Sequence, residues 1–577
     1  MSVLRSVSGN RPAGLAFLWA LVLTAVLLWP LHRAGLGLGH DMVFTPDQPL
    51  TWSGLGLGSA APRAVPLDAL VALAGKVVGG ATVTRLALAI PLLAAGAGCG
   101  LLLRRGGALG AVAGAAFAVW NPYVIERLAL GQWALLWSYA ALPWIVLALR
   151  GRHPTRSWAG VTVAVAAASI TPTGGVVAAL FAVCCACAIR RPGATWRVAV
   201  TAAALQLPWL LAGALSTATT TSDPAAVGAF AARNEHAGGV VLTLLGGGGI
   251  WNADVVPGSR SSGLAWAGLA VVAVSAAVGW RPLRDVIGRR MFVALLVAAG
   301  VGFALAALPS LPGGASVLRF AVAHLPGAGV LRDAQKWVLP WVVLQALLFA
   351  SAAGRAGRAI GRAPALVPAA IAAALLPVLL VPDAGATLRP TLSPVTYPSD
   401  WAQVARLVGD DGDVAVVPYS AYRLYPWAPG RSVLDPAPRI LPAGTIVDDR
   451  LVVGGRVLRG EDQRAAAVGS ALTAADPATA LAAQRVQWVL VEKDTSGTVP
   501  TLTGLSPRYD GPDLALFRVP GDIAPPVRGG SRTAAVLAGY GIAGLVAFGG
   551  LGMLLVAALT EARGLLSSWQ VRRDAGG

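Results

Sequence analysis

Long apolar runs recur through this chain, and short arginine-rich segments follow every second run. Residues 15–31, 86–103 and 534–559 are nearly uninterrupted apolar stretches, and a helix that crosses a bilayer needs about 20 such residues. The chain is 577 residues long, 56% hydrophobic and only 12% charged, which is too apolar for a soluble enzyme. The sequence therefore predicts a polytopic membrane protein.

The arginine groups indicate the orientation of the spans. The formal net charge is +18, but the basic residues are spread in small groups and form no continuous stripe, so no nucleic-acid partner is predicted. The positive-inside bias instead places these groups, and both termini, in the cytoplasm of a multi-pass plasma-membrane protein. About twelve spans are predicted, at residues 14–31, 86–103, 108–120, 134–149, 158–170, 174–189, 198–216, 262–280, 291–308, 338–354, 364–381 and 534–559.

The composition changes between residues 383 and 532, where charged and turn residues rise and no segment is apolar enough to span a membrane. Short β-branched runs predict strands at 414–417, 488–491 and 514–519, and helices are expected at 401–408 and 465–472. The predicted fold is thus an all-α polytopic membrane protein with a small extracytoplasmic α/β domain before the last helix. Its predicted parts are a transmembrane domain (1–382), the α/β domain (383–532) and a final helix with a cytoplasmic tail (533–577).

The first predicted outer loop carries two carboxylates, Asp41 and Asp47, directly after the first span. One interpretation is a general base with its partner, and another is a divalent cation held between the two side chains. An ordinary turn is the structural alternative, because Asp beside Pro is common in turns. The residues alone leave these three interpretations open.

Three further groups of polar residues fall in predicted outer segments. Glu126 and Arg127, which are adjacent and are followed by Gln132, indicate an internal ion pair, since unpaired charge is costly near the membrane. Glu235 and His236 lie together in a later segment, where the histidine is a candidate for proton transfer.

The last of these groups precedes the span at 338–354. Arg332 and Lys336 would share one face at helical spacing and suit an anionic phosphate at the membrane surface. Asp333 lies between them, and a local pair between Arg332 and Asp333 is the structural alternative.

Three of these segments resemble motifs of a known family. The run Asp41-Met-Val-Phe-Thr-Pro-Asp47 is similar to the acidic first-loop motif of the actinobacterial cell-wall arabinofuranosyltransferases, and Leu331-Arg332-Asp333-Ala-Gln-Lys336-Trp337 resembles a second segment of theirs. The stretch 121–133 resembles a motif of related GT-C membrane proteins. The chain therefore resembles the GT-C class of membrane glycosyltransferases over roughly its first 380 residues.

The resemblance implies transfer of a sugar from a polyprenyl-phosphate donor to a cell-envelope glycan or glycolipid at the outer leaflet, with inversion. It implies Asp41 as general base, with Asp47 as second choice or as a cation ligand. Arg332 and Lys336 would neutralise the departing phosphate. Glu126, Arg127 and Gln132, with Asp333, Glu235 and His236, would hold the sugar or brace the site.

The predicted α/β domain adds a candidate acceptor-facing strip, in which aromatic rings would stack on sugars or fill a core. Its candidate residues are Tyr422, Arg423, Tyr425 and Trp427. Two other classes of function remain alternatives, namely a transporter or flippase of envelope lipids and a non-catalytic scaffold. The enzymatic interpretation requires Asp41 and the Arg332/Lys336 face to converge in one cavity.

Overall fold

The computed structural model describes residues 2–216, 222–325, 327–361, 363–410, 412–524 and 530–574. The helices before residue 217 are α1 (Ser2–Leu27), α2 (Leu67–Val78), α3 (Gly80–Leu103), α4 (Ala108–Val119), α5 (Pro122–Ala129), α6 (Trp133–Leu149), α7 (Pro154–Ala168), α8 (Pro172–Cys187) and α9 (Ala194–Ala214). Those between residues 222 and 392 are α10 (Ala226–Ala229), α11 (Gly239–Leu245), α12 (Gly263–Ile287), α13 (Arg289–Ala307), α14 (Gly314–His324), α15 (Leu339–Ile360), α16 (Ala363–Leu380) and α17 (Ala384–Leu392).

The remaining helices are α18 (Asp400–Val408), α19 (Ala437–Ile440), α20 (Gln463–Leu472), α21 (Pro477–Ala483) and the long C-terminal α22 (Gly530–Asp574). The strands are β1 (Leu38–Gly39), β2 (Met42–Val43), β3 (Asp413–Val417), β4 (Tyr422–Leu424), β5 (Ser432–Leu434), β6 (Gly444–Ile446), β7 (Leu451–Val453), β8 (Arg456–Leu458), β9 (Trp488–Glu492), β10 (Ser506–Asp510) and β11 (Leu514–Arg518).

Every segment predicted to span a membrane coincides with a helix, but fewer than twelve of these helices have the length of a span. Among the described residues, seven helices are long and apolar enough, or eight if the pair Pro364–Leu380 and Ala384–Leu392, bent by 59°, forms one span. Arg11–Leu27, Trp133–Leu149 and Pro172–Cys187 are apolar but shorter. The count of twelve spans therefore stays a prediction.

Small residues bring the central helices close together. A methyl group on Gly100 of α3 would lie 2.4 Å from Cβ of Ala16 in α1, and one on Gly114 of α4 would lie 2.9 Å from Cβ of Ala350 in α15. Close backbone approach at glycine and alanine is the usual way in which helices associate in lipid, where apolar surface gains little from burial. Small residues therefore join α3 closely to α1 and α4 closely to α15.

Residues 383–532, called here the α/β segment, contain a five-stranded sheet in the order β10-β11-β9-β3-β6. The strand β3 runs parallel to β6 and β9, and the other neighbouring strands are antiparallel. Buried β-branched residues such as Val414, Val416 and Val489 explain why these runs form central strands. The three strands and two helices predicted in this segment are confirmed to within two residues at each end.

The α/β segment is joined to residues 28–66, called here the first loop, by main-chain hydrogen bonds. Leu36 and Val395 exchange two N–H···O bonds of 3.0 Å each. His40 donates to the Ser432 carbonyl over 2.7 Å and accepts from the Leu434 amide over 2.9 Å. The first loop is thereby fixed between the helices and the α/β segment.

Candidate functional site

Asp41 lies in the tight turn of a small hairpin. Strands β1 and β2 pair antiparallel, with Gly39 opposite Met42, so His40 and Asp41 form the connection. His40 takes a left-handed φ of 48°, as two-residue hairpin turns require. The turn directs the Asp41 side chain away from both strands, toward helix α6.

Gly131 explains how the chain before α6 reaches this turn. Its φ is +82°, and a Cβ there would lie 2.2 Å from the Met42 nitrogen and 2.7 Å from the Gly39 oxygen. Only glycine combines this backbone conformation with such a close approach. The next residue, Gln132, donates from Nε2 to Oδ2 of Asp41 over 2.9 Å.

Tyr422 of β4 reaches the same carboxylate from the α/β segment. Its hydroxyl donates to Oδ1 of Asp41. Burial, followed by the charge of Asp41, raises the pKa of the Tyr422 phenol well above its usual value, so the hydroxyl keeps its proton. Both oxygens of Asp41 thus accept hydrogen bonds from neutral groups.

A chain of polar contacts runs from Gln132 into the protein. Arg127 donates from Nη1 to Oε1 of Gln132, and its two terminal nitrogens lie 3.1 and 3.2 Å from the carboxylate oxygens of Asp333. Lys336 Nζ lies 3.3 Å from Oδ2 of Asp333. Burial opposes the Asp333 charge, but Arg127 and Lys336 outweigh it and lower the pKa of Asp333 to about 2.

Asp41 opens onto a cavity of about 280 Å³, called here the Asp41 cavity. Its walls come from the first loop, from α2, from the start of α6, from the loop before α8 and from the α/β segment. The charged residues in its lining are Asp41, Arg63, Asp68, Lys336 and Arg439. Three cations and two carboxylates therefore surround a space large enough for a small polar group.

Carboxylates orient two of these cations. Arg439 Nε donates to Oδ1 of Asp68 over 2.9 Å, and Arg63 Nη2 donates to Oδ2 of Asp449 over 2.5 Å. No sequence pattern singled out Arg63 or Arg439, since each stands among prolines and small residues without a recognisable motif. Arg63 and Arg439 lie in the same cavity as Lys336 because of the tertiary fold.

Two predicted site residues lie outside this constellation. Asp47 pairs with Lys76 over 2.7 Å on the surface, and its side chain is 72% exposed. Arg332 pairs with Glu461 of the α/β segment and faces the Phe230 ring, 5.8 Å from its centroid. Neither Asp47 nor Arg332 lines the Asp41 cavity. Of the two predicted phosphate-binding cations, the structure brings only Lys336 to Asp41.

The prediction that Arg332 and Lys336 share one helical face is wrong. Single turns of 3₁₀ helix cover Ala328–Leu331 and Ala334–Val338, and Arg332 lies in the break between them. Their side chains therefore follow separate directions, one toward Glu461 and one toward the cavity.

Glu126 and Arg127 lie in helix α5 and not in a loop, and both are fully buried. The break before α5 is made by Asn121, whose side chain accepts from the Val124 amide over 3.0 Å, and by Pro122 in the first turn. Glu126 accepts from Nε2 of Gln335 over 2.7 Å. Glu126 therefore makes its hydrogen bond in the protein interior, next to Arg127 in the same helix.

Glu235 and His236 belong to a neighbouring buried group. Glu235 pairs with Arg260 over 2.8 Å, and both side chains are at least 96% buried. His236 accepts from the Gly238 amide over 3.1 Å at Nδ1. Burial and the charge of Arg260 lower the pKa of His236, so the ring is neutral at pH 7. Neither residue lines the Asp41 cavity.

Successive side chains of strand β4 point to opposite faces, so the residues of the predicted acceptor-facing strip do not share one surface. Tyr422 points to Asp41, whereas Arg423 is fully buried between Asp435 at 2.5 Å and Glu492 at 3.1 Å. These carboxylates hold the pKa of Arg423 above its usual value, although burial opposes its charge. Arg423 therefore has no surface with which to contact an acceptor.

The two later residues of the strip also lie in the interior. Tyr425 donates to Glu492 over 2.8 Å, and the ring of Trp427 packs 4.7 Å from that of Tyr425. Tyr425 is buried and Trp427 is partly buried. These two rings fill a core, which leaves Tyr422 as the member of the strip that contacts Asp41.

A divalent cation between Asp41 and Asp47 has no geometric support, because the two side chains take different partners. Within the described parts of the chain, no three His, Cys, Asp or Glu side chains lie close enough together to hold a metal ion.

Comparison with known proteins supports the fold. No family model and no curated protein sequence matches the chain. Two solved structures of arabinofuranosyltransferase AftD from Mycobacteria, one of them a mutant, are similar to it with a TM-score of 0.51, at 15% and 17% identity. Each match covers 89% of this chain but only 40% or 42% of AftD, so the chain spans less than half of that protein. The resemblance to GT-C membrane glycosyltransferases is thus confirmed at the level of the fold.

Proposed function

We propose that the chain is an integral membrane glycosyltransferase that moves a sugar from a polyprenyl-phosphate donor to a cell-envelope glycan or glycolipid, with Asp41 as general base. Arabinofuranose is the first sugar to test, because AftD is an arabinofuranosyltransferase. The observation that carries the proposal is the environment of Asp41, a carboxylate held by two neutral donors at the wall of a cavity lined by cations.

The choice of base follows from the partners of each carboxylate. Asp68 is paired with Arg439 and Asp47 with Lys76, so each of these carboxylates already has a cation as its partner. Among the residues that the structure describes, the side chain of Asp41 accepts from the amide of Gln132 and the hydroxyl of Tyr422, both neutral groups. It is therefore the cavity carboxylate best suited to accept a proton from an acceptor hydroxyl.

The cations supply the second requirement of the reaction. As the bond between the anomeric carbon and the phosphate breaks, negative charge grows on the phosphate oxygens, and fixed cations lower the barrier where that charge develops. Lys336, Arg63 and Arg439 line the same cavity as Asp41. The acceptor oxygen, deprotonated by Asp41, attacks the face of the carbon opposite the phosphate, so the configuration inverts.

The location of the cavity suits an amphiphilic donor. The apolar helix α6 begins at Trp133 in the cavity wall, and the α/β segment contributes Leu434 and Arg439 to the opposite wall. A sugar on a polyprenyl phosphate must keep its tail in lipid while its reacting carbon stays at the membrane surface. In the proposal this surface is the outer one, with the α/β segment extracytoplasmic and both termini in the cytoplasm of a plasma-membrane protein.

The test is a transfer assay on the full chain in proteoliposomes. Radiolabelled polyprenyl-phosphate arabinofuranose is supplied with envelope glycan and glycolipid fractions, and products are analysed by mass spectrometry. The proposal predicts an acceptor gain of one sugar mass with release of polyprenyl phosphate. Movement of labelled lipid across the bilayer without transfer would instead establish a flippase. A protein that neither transfers sugar from hexose or pentose donors nor moves lipid would indicate a scaffold. Either the flippase result or the scaffold result would overturn the proposal.

A further inference from the structure

A second cavity, of about 690 Å³, runs along helix α6 between α3 and α7 and is called here the α6 groove. Its walls are apolar over most of their area, with Ile90, Trp137, Trp144 and Val163 among the lining residues. Ile90 and Trp144 are 41% and 37% exposed, so the groove is open on one side. In a membrane such an opening faces lipid chains.

Tight helix crossings fix the shape of this groove. A Cβ on Gly98 of α3 would lie 2.9 Å from Cγ of Pro143 in α6, and one on Gly160 of α7 would lie 2.8 Å from Cβ of Ala148 in α6. Trp144 Nε1 also donates to the Ala94 carbonyl over 2.9 Å, which ties α6 to α3. The walls are therefore in close contact behind the groove and cannot collapse into it without moving whole helices.

The C-terminal helix α22 stands at the edge of the groove. A Cβ on Gly550 would lie 2.8 Å from Cγ2 of Thr162 in α7, and Leu554 belongs to the groove lining. Closer to the C-terminus of α22, Glu561 pairs with Arg156 of α7. These contacts complete a channel with walls on three sides.

One end of the α6 groove is cationic. Arg152, His153 and Arg156 line it directly after the last residue of α6. Among the described residues, Glu561 is the one carboxylate that pairs with these cations, and Arg152 makes no ion pair.

Two neighbouring arginines add to this charge. Arg150 donates to the Val286 carbonyl and Arg191 to the Gly151 carbonyl, and neither forms an ion pair within the described part of the chain. Burial, followed by repulsion from Arg105 and Arg104, lowers the pKa of Arg150. The end of the groove therefore carries a net positive charge.

From this arrangement we infer that the α6 groove binds a phospholipid with an anionic headgroup, its chain along α6 and its phosphate at Arg152 and Arg156. The apolar channel matches a hydrocarbon chain, and the cations at its end match a phosphate. Helix α6 has 17 residues and is about 25 Å long. The Asp41 cavity lies at its first residue and these arginines follow its last, so the two sites are separated by about the length of α6. The inference does not depend on the proposed sugar transfer.

The inference is tested by native mass spectrometry of the full chain in detergent, titrated separately with phosphatidylglycerol and with phosphatidylcholine of the same chains. We expect tighter binding of phosphatidylglycerol, by roughly 10-fold to 30-fold, since each arginine near an anionic headgroup adds about 1 kcal/mol. The double variant Arg152→Ala/Arg156→Ala should lose that preference. The matched control Arg289→Ala/Arg290→Ala, at an exposed pair outside the groove, should keep it.

A second variant tests the channel itself. Val163→Trp should narrow the groove and weaken the binding of both lipids, whereas Leu555→Trp, at a residue of α22 that is 56% exposed and outside the groove, should not. Equal affinity for the two lipids, or equal loss in the two arginine double variants, would overturn the headgroup assignment. Unchanged binding in Val163→Trp would overturn the groove as the site. Thermal unfolding of each variant checks that it is folded.

Discussion

Gln132 links two charged residues of the site, because it donates to Asp41 over 2.9 Å and accepts from Arg127. A guanidinium can only donate, so Arg127 fixes which end of the amide faces it and leaves the Nε2 end for Asp41. Arg127 is held in turn by Asp333. The buried ion pair therefore orients the candidate base through a single amide.

Gln132→Leu removes this link while keeping a side chain of similar volume. We expect kcat to fall roughly tenfold or more, since a positioned general base contributes about 10²–10⁴ to the rate and the variant removes one of the two hydrogen bonds that hold Asp41. Gln48→Leu is the control, because Gln48 lines the same cavity but donates to the Asp68 carbonyl. Initial-rate kinetics give kcat for both variants. Equal losses of kcat in the two would contradict the role of Gln132.

Gly131→Ala should both destabilise the protein and suppress transfer. The added methyl group would meet the Met42 nitrogen at 2.2 Å and push the hairpin turn away from Gln132. Gly107→Ala is the matched control, since Gly107 has a similar positive φ of +91° with open space around it. Both variants carry backbone strain of about 1–3 kcal/mol, because each places a side chain at a positive φ. Only Gly131→Ala should lower the melting temperature further and remove activity.

Lys336→Met and Arg332→Met should differ in their kinetics. Lys336 lines the Asp41 cavity, so its loss should lower kcat/KM for the donor roughly tenfold, which corresponds to about 1.4 kcal/mol of transition-state binding. Arg332 faces Glu461 outside the cavity, and its variant should remain within about twofold of the native enzyme. A larger loss in Arg332→Met than in Lys336→Met would contradict this prediction and would support Arg332 as the phosphate-binding cation.

The stability that Asp333 provides should depend on pH in a narrow window. Its pKa falls from an ordinary 3.8 to about 2 in the fold, so the benefit is full above pH 4 and is lost as pH falls toward 2. Asp333→Asn should therefore cost about 2 kcal/mol at pH 7. The gap to the native protein should close near pH 2 in thermal unfolding. A gap that is constant with pH would mean that the Asp333 charge is not the cause.

Much of the architecture could be predicted from the sequence because local patterns determine it. The β-branched runs that became β3, β9 and β11 and the apolar runs that became helices carry their own signal. Span length was harder to predict, since an apolar run such as Trp133–Leu149 forms a helix that ends before it reaches full span length.

The site itself was only partly predictable. Sequence motifs single out Asp41, Gln132 and Lys336 as candidates, but their convergence with Arg63 and Arg439 in one cavity depends on contacts between distant parts of the chain, for which no local pattern exists. Arg332 was misplaced because helical spacing was assumed across a segment that breaks between two 3₁₀ turns. The burial of Arg423 follows from strand alternation, which the aromatic composition of that strip did not reveal.

The most direct measurement compares two aspartates of the first loop. Asp41→Asn and Asp47→Asn are chemically identical changes six positions apart, one at the cavity and one at an exposed pair with Lys76. In a single-turnover sugar-transfer assay, the account predicts a loss of at least about 10²-fold for Asp41→Asn and nearly native turnover for Asp47→Asn. Native turnover in a folded Asp41→Asn protein would contradict the assignment of the base.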